Sequence, residues 1–183
     1  LGPLEWLLKS GEVDQDKDMV IAVDDDLWYR PGALSAIVQA LDENPRSVQT
    51  GYAFDVGTLS VGQGADMMGW RVGDLASLTH FRQPDECRLV DDVWFSSYAK
   101  SMRLKMMVVP SLMWPHVGYL KDKPGETKSF SDESSLRRLT GANKRETLNA
   151  ACEIACRHAA CVDTAPGVSA GISGLQMVAR SSK

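Results

Sequence analysis

Met19-Val20-Ile21-Ala22-Val23-Asp24-Asp25-Asp26 decides the reading of this chain: a short apolar run that ends in three adjacent carboxylates. The apolar part reads as a strand. Alternate side chains of a strand share a face, so Asp24 and Asp26 point one way and Asp25 the other. Adjacent carboxylates repel, and stability alone gives little reason to keep them at a buried strand's carboxyl end. Open α/β sheets bind their ligands at that edge. Two hard oxygen ligands there suit Mg²⁺ or Mn²⁺ held jointly with a diphosphate, because such ions keep positions for substrate oxygens. Taken by itself, the triplet also reads as a solvated acidic turn ahead of Pro31.

A second acidic pair changes that balance. Asp91-Asp92 opens a run in which Val90, Val93, Trp94, Tyr98 and Met102 recur at helical spacing, which predicts a helix with its acids in the first turn. Acids favour that position for stability, since free N–H groups and the macrodipole contribute about 0.3–1 kcal/mol there. A carboxylate fixed at a helix start and facing a metal site is also suited to act as general base for a hydroxyl nucleophile.

Ile21-Ala22-Val23-Asp24-Asp25-Asp26-Leu27-Trp28-Tyr29-Arg30-Pro31-Gly32 resembles the DxD strand of nucleotide-sugar glycosyltransferases of the GT-A fold, with the turn into the next helix. Asp91-Asp92-Val93-Trp94-Phe95, followed by Met106-Met107-Val108-Val109-Pro110, is similar to that superfamily's acidic catalytic motif and the strand after it. The resemblance covers roughly residues 1–120. It implies an α/β fold with a mixed, mainly parallel, Rossmann-related sheet flanked by helices. It further implies metal-dependent transfer of a sugar from a nucleotide-diphosphate donor to a hydroxyl-bearing acceptor, and a base acting directly on that acceptor would give inversion. Asp24 and Asp26 would bind Mn²⁺ or Mg²⁺ with the diphosphate, and Asp25 and Trp94 would lie against substrate. Asp92, the last acid of its motif, would be the base, with Asp91 capping the helix or orienting a loop. His116, the first histidine after Asp92, inherits by position the role of a further metal ligand. In that superfamily a nucleotide-binding half precedes the DxD strand, so the chain is expected to be an N-terminally truncated fragment.

Other segments are read from their residues. Leu4 to Lys9 reads as a helix end closed by Gly11, and Pro31 to Asn44 as a helix with Leu34, Ile37, Val38 and Leu41 on one face. Ser47 to Phe54 reads as a strand, which completes a β-α-β unit with Met19–Val23. Between Asp55 and Asp74, Gly57, Gly62, Gly64, Gly69 and Gly73 predict a loop. That loop is either plainly flexible or a mobile closure in which Asp66 and Trp70 meet substrate, the indole facing a pyranose. Residues 111–118 read as an aromatic turn, 121–142 as a polar linker, 143–161 as a last helix and 162–183 as a disordered tail. Asn143 and Glu146 form a capping-box pattern at that helix's start.

Composition bounds the rest. The 183 residues carry 44% hydrophobic and 24% charged residues, ordinary for a soluble globular chain. A net charge of −4 without a basic cluster argues against nucleic acid as a partner. No run is long enough to span a membrane, so an anchor could enter only ahead of Leu1, and a Golgi-lumenal or membrane-associated setting rests on the resemblance. Cys87, Cys152, Cys156 and Cys161 read as small buried residues rather than a disulfide framework or a zinc site, because the C-x₂-C spacing is missing. A haloacid-dehalogenase-type phosphohydrolase also carries D-x-D after a strand, but Leu27-Trp28 and the helical Asp91-Asp92 pair fit it poorly. A non-catalytic domain remains the other alternative.

Overall fold

The computed structural model of the chain describes residue 6 and residues 8–24, 27–112, 116–119 and 142–157. Strands β1 (Met19–Ala22) and β2 (Leu27–Tyr29) precede helix α1 (Ala33–Glu43). Strand β3 (Ser47–Thr50), a hairpin of β4 (Ala53–Val56) and β5 (Leu59–Gly62), and β6 (Met68–Arg71) follow. Helix α2 (Asp91–Ser101), strands β7 (Lys105–Val108) and β8 (His116–Tyr119), and helix α3 (Ala142–Arg157) complete the described elements.

The class is α/β with a mixed sheet in the order β1-β6-β3-β7. Strand β6 is antiparallel to both β1 and β3, and β7 is parallel to β3. Three strands therefore run one way, yet the two pairings made by β6 are antiparallel, which corrects the expectation of a mainly parallel sheet. The cause is the glycine-containing stretch expected to be a loop. It folds as the β4–β5 hairpin and then enters the sheet as β6, between the two strands of the β-α-β unit.

Period-two alternation assigns the layers. Met19 and Ile21 of β1 pack with Ala33, Ile37 and Leu41 of α1 and with Met67, Val109 and Leu112. Val20 and Ala22 face the opposite way, into a larger core of Val48, Met68, Trp70, Val93, Trp94, Tyr98 and Cys152. Helix α1 starts after Gly32, whose φ of 84° suits glycine, and Asn44 closes it. Its buried stripe is Ala33, Ile37 and Leu41, whereas Leu34 is exposed, so the apolar face is narrower than the sequence spacing suggested. The face toward α1 needs a gap at Gly69, where an added Cβ would lie 2.6 Å from Ile37 Cγ2 and 3.1 Å from Leu41 Cδ1.

The cysteines are a second correction. Cys87 and Cys152 form a disulfide, and Cys156 is disulfide-bonded too. Cys87 and Cys152 are fully buried where α3 meets the turn before α2, with Cys156 partly buried beside them, which helical patterning within α3 does not reveal. Helix α3 begins at Ala142, so Asn143 lies inside its first turn rather than capping it. Residues 120–141 and 158–183, with the linker, Cys161 and the tail, lie outside the described residues.

This packing has consequences for stability. Gly69→Ala should destabilise the protein by about 1–3 kcal/mol, since Ile37 is branched and fully buried. Gly62→Ala should cost less, because its Cβ would meet the flexible ends of Met68 and Met106; urea unfolding of both variants checks the order. Reduction of Cys87–Cys152, which closes a 65-residue separation, should lower stability by about 2–4 kcal/mol in the same assay.

Candidate functional site

The carboxyl ends of β1, β3 and β7 lie at one edge of the sheet, where antiparallel β6 begins. Gly51 N–H donates to the Asp66 carbonyl and Val109 N–H to the Thr50 carbonyl, each at 2.9 Å, tying the loops together there. Asp24 emerges from β1 at this edge and is exposed. Its backbone N–H donates to the Tyr29 hydroxyl at 2.8 Å. Tyr29 ends β2 and its backbone pairs with that of His116 in β8, so β8 is linked to Asp24 through the Tyr29 side chain. The expected aromatic turn at 111–118 is thus partly strand. Asp25, Asp26 and the His116 side chain lie outside what the structure describes.

The register between β1 and β6 ends at Ala22↔Met68, and the tight turn Gly64–Asp66 leads into β6. Gly64 N–H donates to Asp92 Oδ1 at 2.9 Å, and a Cβ on Gly64 would stand 3.0 Å from that oxygen. Glycine is what lets the first turn of α2 approach. Met67 follows at φ 62°, an uncommon value for a non-glycine residue, held by its burial beside Ile37 and Leu41.

Asp92 is the distinctive group. Burial pushes its carboxyl up from 3.8 to about 6; the Gly64 N–H opposes this, Asp91 reinforces it, Arg145 opposes it and Asp24 reinforces it. Asp24 and Asp92, far apart in sequence, therefore share one electrostatic environment. Asp91 differs from its neighbour: it is exposed, and its Oδ1 accepts the Asp92 N–H at 3.1 Å, satisfying a donor of the first turn.

Three expected substrate residues are buried rather than presented to a ligand, although Asp66 belongs to the turn at this edge. Trp70 is 2% exposed in the central strand, with its ring 5.7 Å from Phe95, so it is core and no sugar platform. Trp94 is 4% exposed, donates through Nε1 to the Arg82 carbonyl and packs on Phe81 and Phe95. Asp66 is fully buried and offers no surface to a ligand. Strand spacing turned Trp70 inward and helical spacing turned Trp94 inward, while Asp66 is buried in the Gly64–Asp66 turn.

Sequence reasoning missed other neighbours of the site. Trp28, half exposed, stands two residues past the triplet, opposite Gly118. Arg145 precedes Leu148 and Cys152 at spacings of three and seven, so a cation heads an otherwise apolar stripe, a signal available in the sequence. Compared with family models, with characterised proteins and with solved structures, the chain has no match.

The raised Asp92 carboxyl makes a pH-dependent prediction. The folded state holds this proton more tightly than the unfolded chain, so its stabilising effect is present below about pH 4 and lost as pH rises through about 6. Asp92→Asn keeps an acceptor for Gly64 and removes the buried charge. It should stabilise the protein by about 1–3 kcal/mol at pH 7.5 and hardly at all at pH 4. Thermal melts at both pH values check this, with Asp91→Asn as the exposed control.

Proposed function

We propose that this chain belongs to a metal-dependent glycosyltransferase that moves a sugar from a nucleotide-diphosphate donor to a hydroxyl acceptor with inversion. The observation that carries the reading is the pairing of exposed Asp24 with half-buried, proton-retaining Asp92 at the carboxyl edge of the parallel-running strands. Sugar transfer needs two separate functions, diphosphate binding and deprotonation of the acceptor, and these two carboxylates differ in environment as the two functions require.

Asp24 and Asp26, with His116 as a further ligand, would hold Mn²⁺ or Mg²⁺. The exposure of the Asp24 carboxylate and its hard oxygen chemistry fit such an ion. When bound, the ion neutralises charge on the diphosphate. Asp92 would accept the acceptor's proton, with one of its carboxylate oxygens held by the Gly64 N–H. A pKa of about 6 leaves it ionised at neutral pH yet close enough to that pH to work efficiently as a base. A base acting directly on the acceptor gives inversion. Trp28, rather than Trp70, offers an exposed indole face to the apolar C–H groups of a sugar ring. Disulfides persist in oxidising compartments, so Cys87–Cys152 supports a lumenal or extracellular setting. No helix among the described residues is long and apolar enough to cross a membrane.

The test is turnover of UDP- and GDP-sugars with Mn²⁺, with chelator as control. Asp92→Asn should lower turnover about 10²–10⁴-fold with donor affinity nearly unchanged, and wild-type turnover should fall below about pH 6. Asp26→Ala should weaken UDP-dependent Mn²⁺ binding. A retained anomeric configuration, or full activity of Asp92→Asn, would overturn the assignment.

A further inference from the structure

Two residues of α2 reach the same short stretch of backbone. Gly64 N–H donates to Asp92 Oδ1 at 2.9 Å, and Gly62 N–H donates to Ser96 Oγ at 3.1 Å. Between them, Gln63 N–H points the other way and donates to the Tyr52 carbonyl at 3.0 Å. Gln63 is extended, with φ −95° and ψ 120°, and extended backbone presents successive N–H groups to opposite sides. The two spacings match. Residues four apart share a helix face and lie about 6 Å apart along the axis. Residues two apart in extended backbone are separated by about 6.6 Å. Asp92 and Ser96 therefore meet Gly64 and Gly62 in register. Ser96 is 1% exposed and lies in α2 among buried Val93, Trp94 and Ala99. An apolar residue would pack there as well, but it would leave the buried Gly62 N–H without this acceptor.

We propose that Ser96 is a positioning residue for Asp92: its hydroxyl pins α2 to the 62–64 backbone and so holds the Asp92 carboxylate against Gly64. Asp92 sits in the first turn of α2, where N–H groups have no partners within the helix and the end is free to fray. Ser96 stands one turn further in, where the helix is regular and buried. A contact at Asp92 alone leaves the helix able to slide and roll against the turn. A second contact one turn away fixes both motions. Without the hydroxyl, the Gly62 N–H must shift to find another acceptor, since a buried unsatisfied donor is costly, and the Gly64 N–H two residues on shifts with it. In its catalytic consequence this inference rests on the transferase reading above; in its effect on the Asp92–Gly64 bond it does not.

The experiment records the amide resonances and amide hydrogen exchange of Gly62 and Gly64 by NMR in the full chain. Ser96→Ala should displace both resonances and speed both exchange rates by about 2–12-fold, the factor that the net worth of one hydrogen bond carries. Ser97→Ala removes a hydroxyl that donates to the Val93 carbonyl of its own helix, and it should move neither amide. If Ser96→Ala does not fold, Ser96→Cys, close in size and a weaker acceptor, should displace both amides in the same direction. With UDP- and GDP-sugars, Ser96→Ala should lower kcat by about 10–10²-fold, the scale of a misplaced catalytic group, with donor KM nearly unchanged. A Gly64 amide that keeps its position and exchange rate in Ser96→Ala overturns the inference. Equal changes in Ser97→Ala, or an unaltered kcat in an active enzyme, overturn it too. Displacement of both amides in a chain that transfers no sugar supports this inference while the proposed function fails.

Discussion

The approach of Ile37 to the bare backbone of Gly69 is the constraint on which the sheet depends. Helix α1 can lie flat across β6 and β3 only because the middle residue of β6 has no side chain on that face. With α1 seated there, Met68 and Trp70 turn the other way and seed the larger core with α2 and α3. A close-packed interior gives little when volume is added, so this one gap sets the spacing of the layers on both sides.

That spacing also places the acidic edge. Strand β6 starts where β1 and β3 end, so the turn Gly64–Asp66 that feeds it lies among their carboxyl ends. The first turn of α2 then meets the turn at the Gly64 N–H. Burial penalises the charged form of Asp92 more than the Gly64 N–H offsets it, and its proton-retaining character is the consequence. A site selected for stability alone would place an amide or an apolar residue there. The retained charge is the kind of local cost that functional positions carry.

The Cys87–Cys152 bond stabilises at the same place that the carboxylates strain. It ties the turn before α2 to α3, and both belong to the core that holds Trp70, Trp94 and Tyr98. The turn that leads into α2 and the core beneath it therefore share one covalent support.

Much of this was legible along the chain. The apolar run before Asp24, the helical spacing after Asp91 and the α1 stripe at Ile37 and Leu41 read correctly, because each is a local period imposed by a single element. The carboxyl-edge location of Asp24 followed from the strand it ends. The role of the stretch 55–74 did not follow. Gly69 interrupts the alternation that would mark β6, and the reason for that glycine is a contact with a helix about thirty residues earlier. Trp70 and Trp94 carry the same chemistry whether buried or exposed, so only the packing of β6 and α2 turned them inward. Likewise, no spacing within 142–157 points to Cys87. The sequence by itself determined the elements and the carboxylates they carry; which carboxylate is buried, which tryptophan is free and which cysteines meet were decided by tertiary structure, because burial and sulfur proximity are properties of elements packed together.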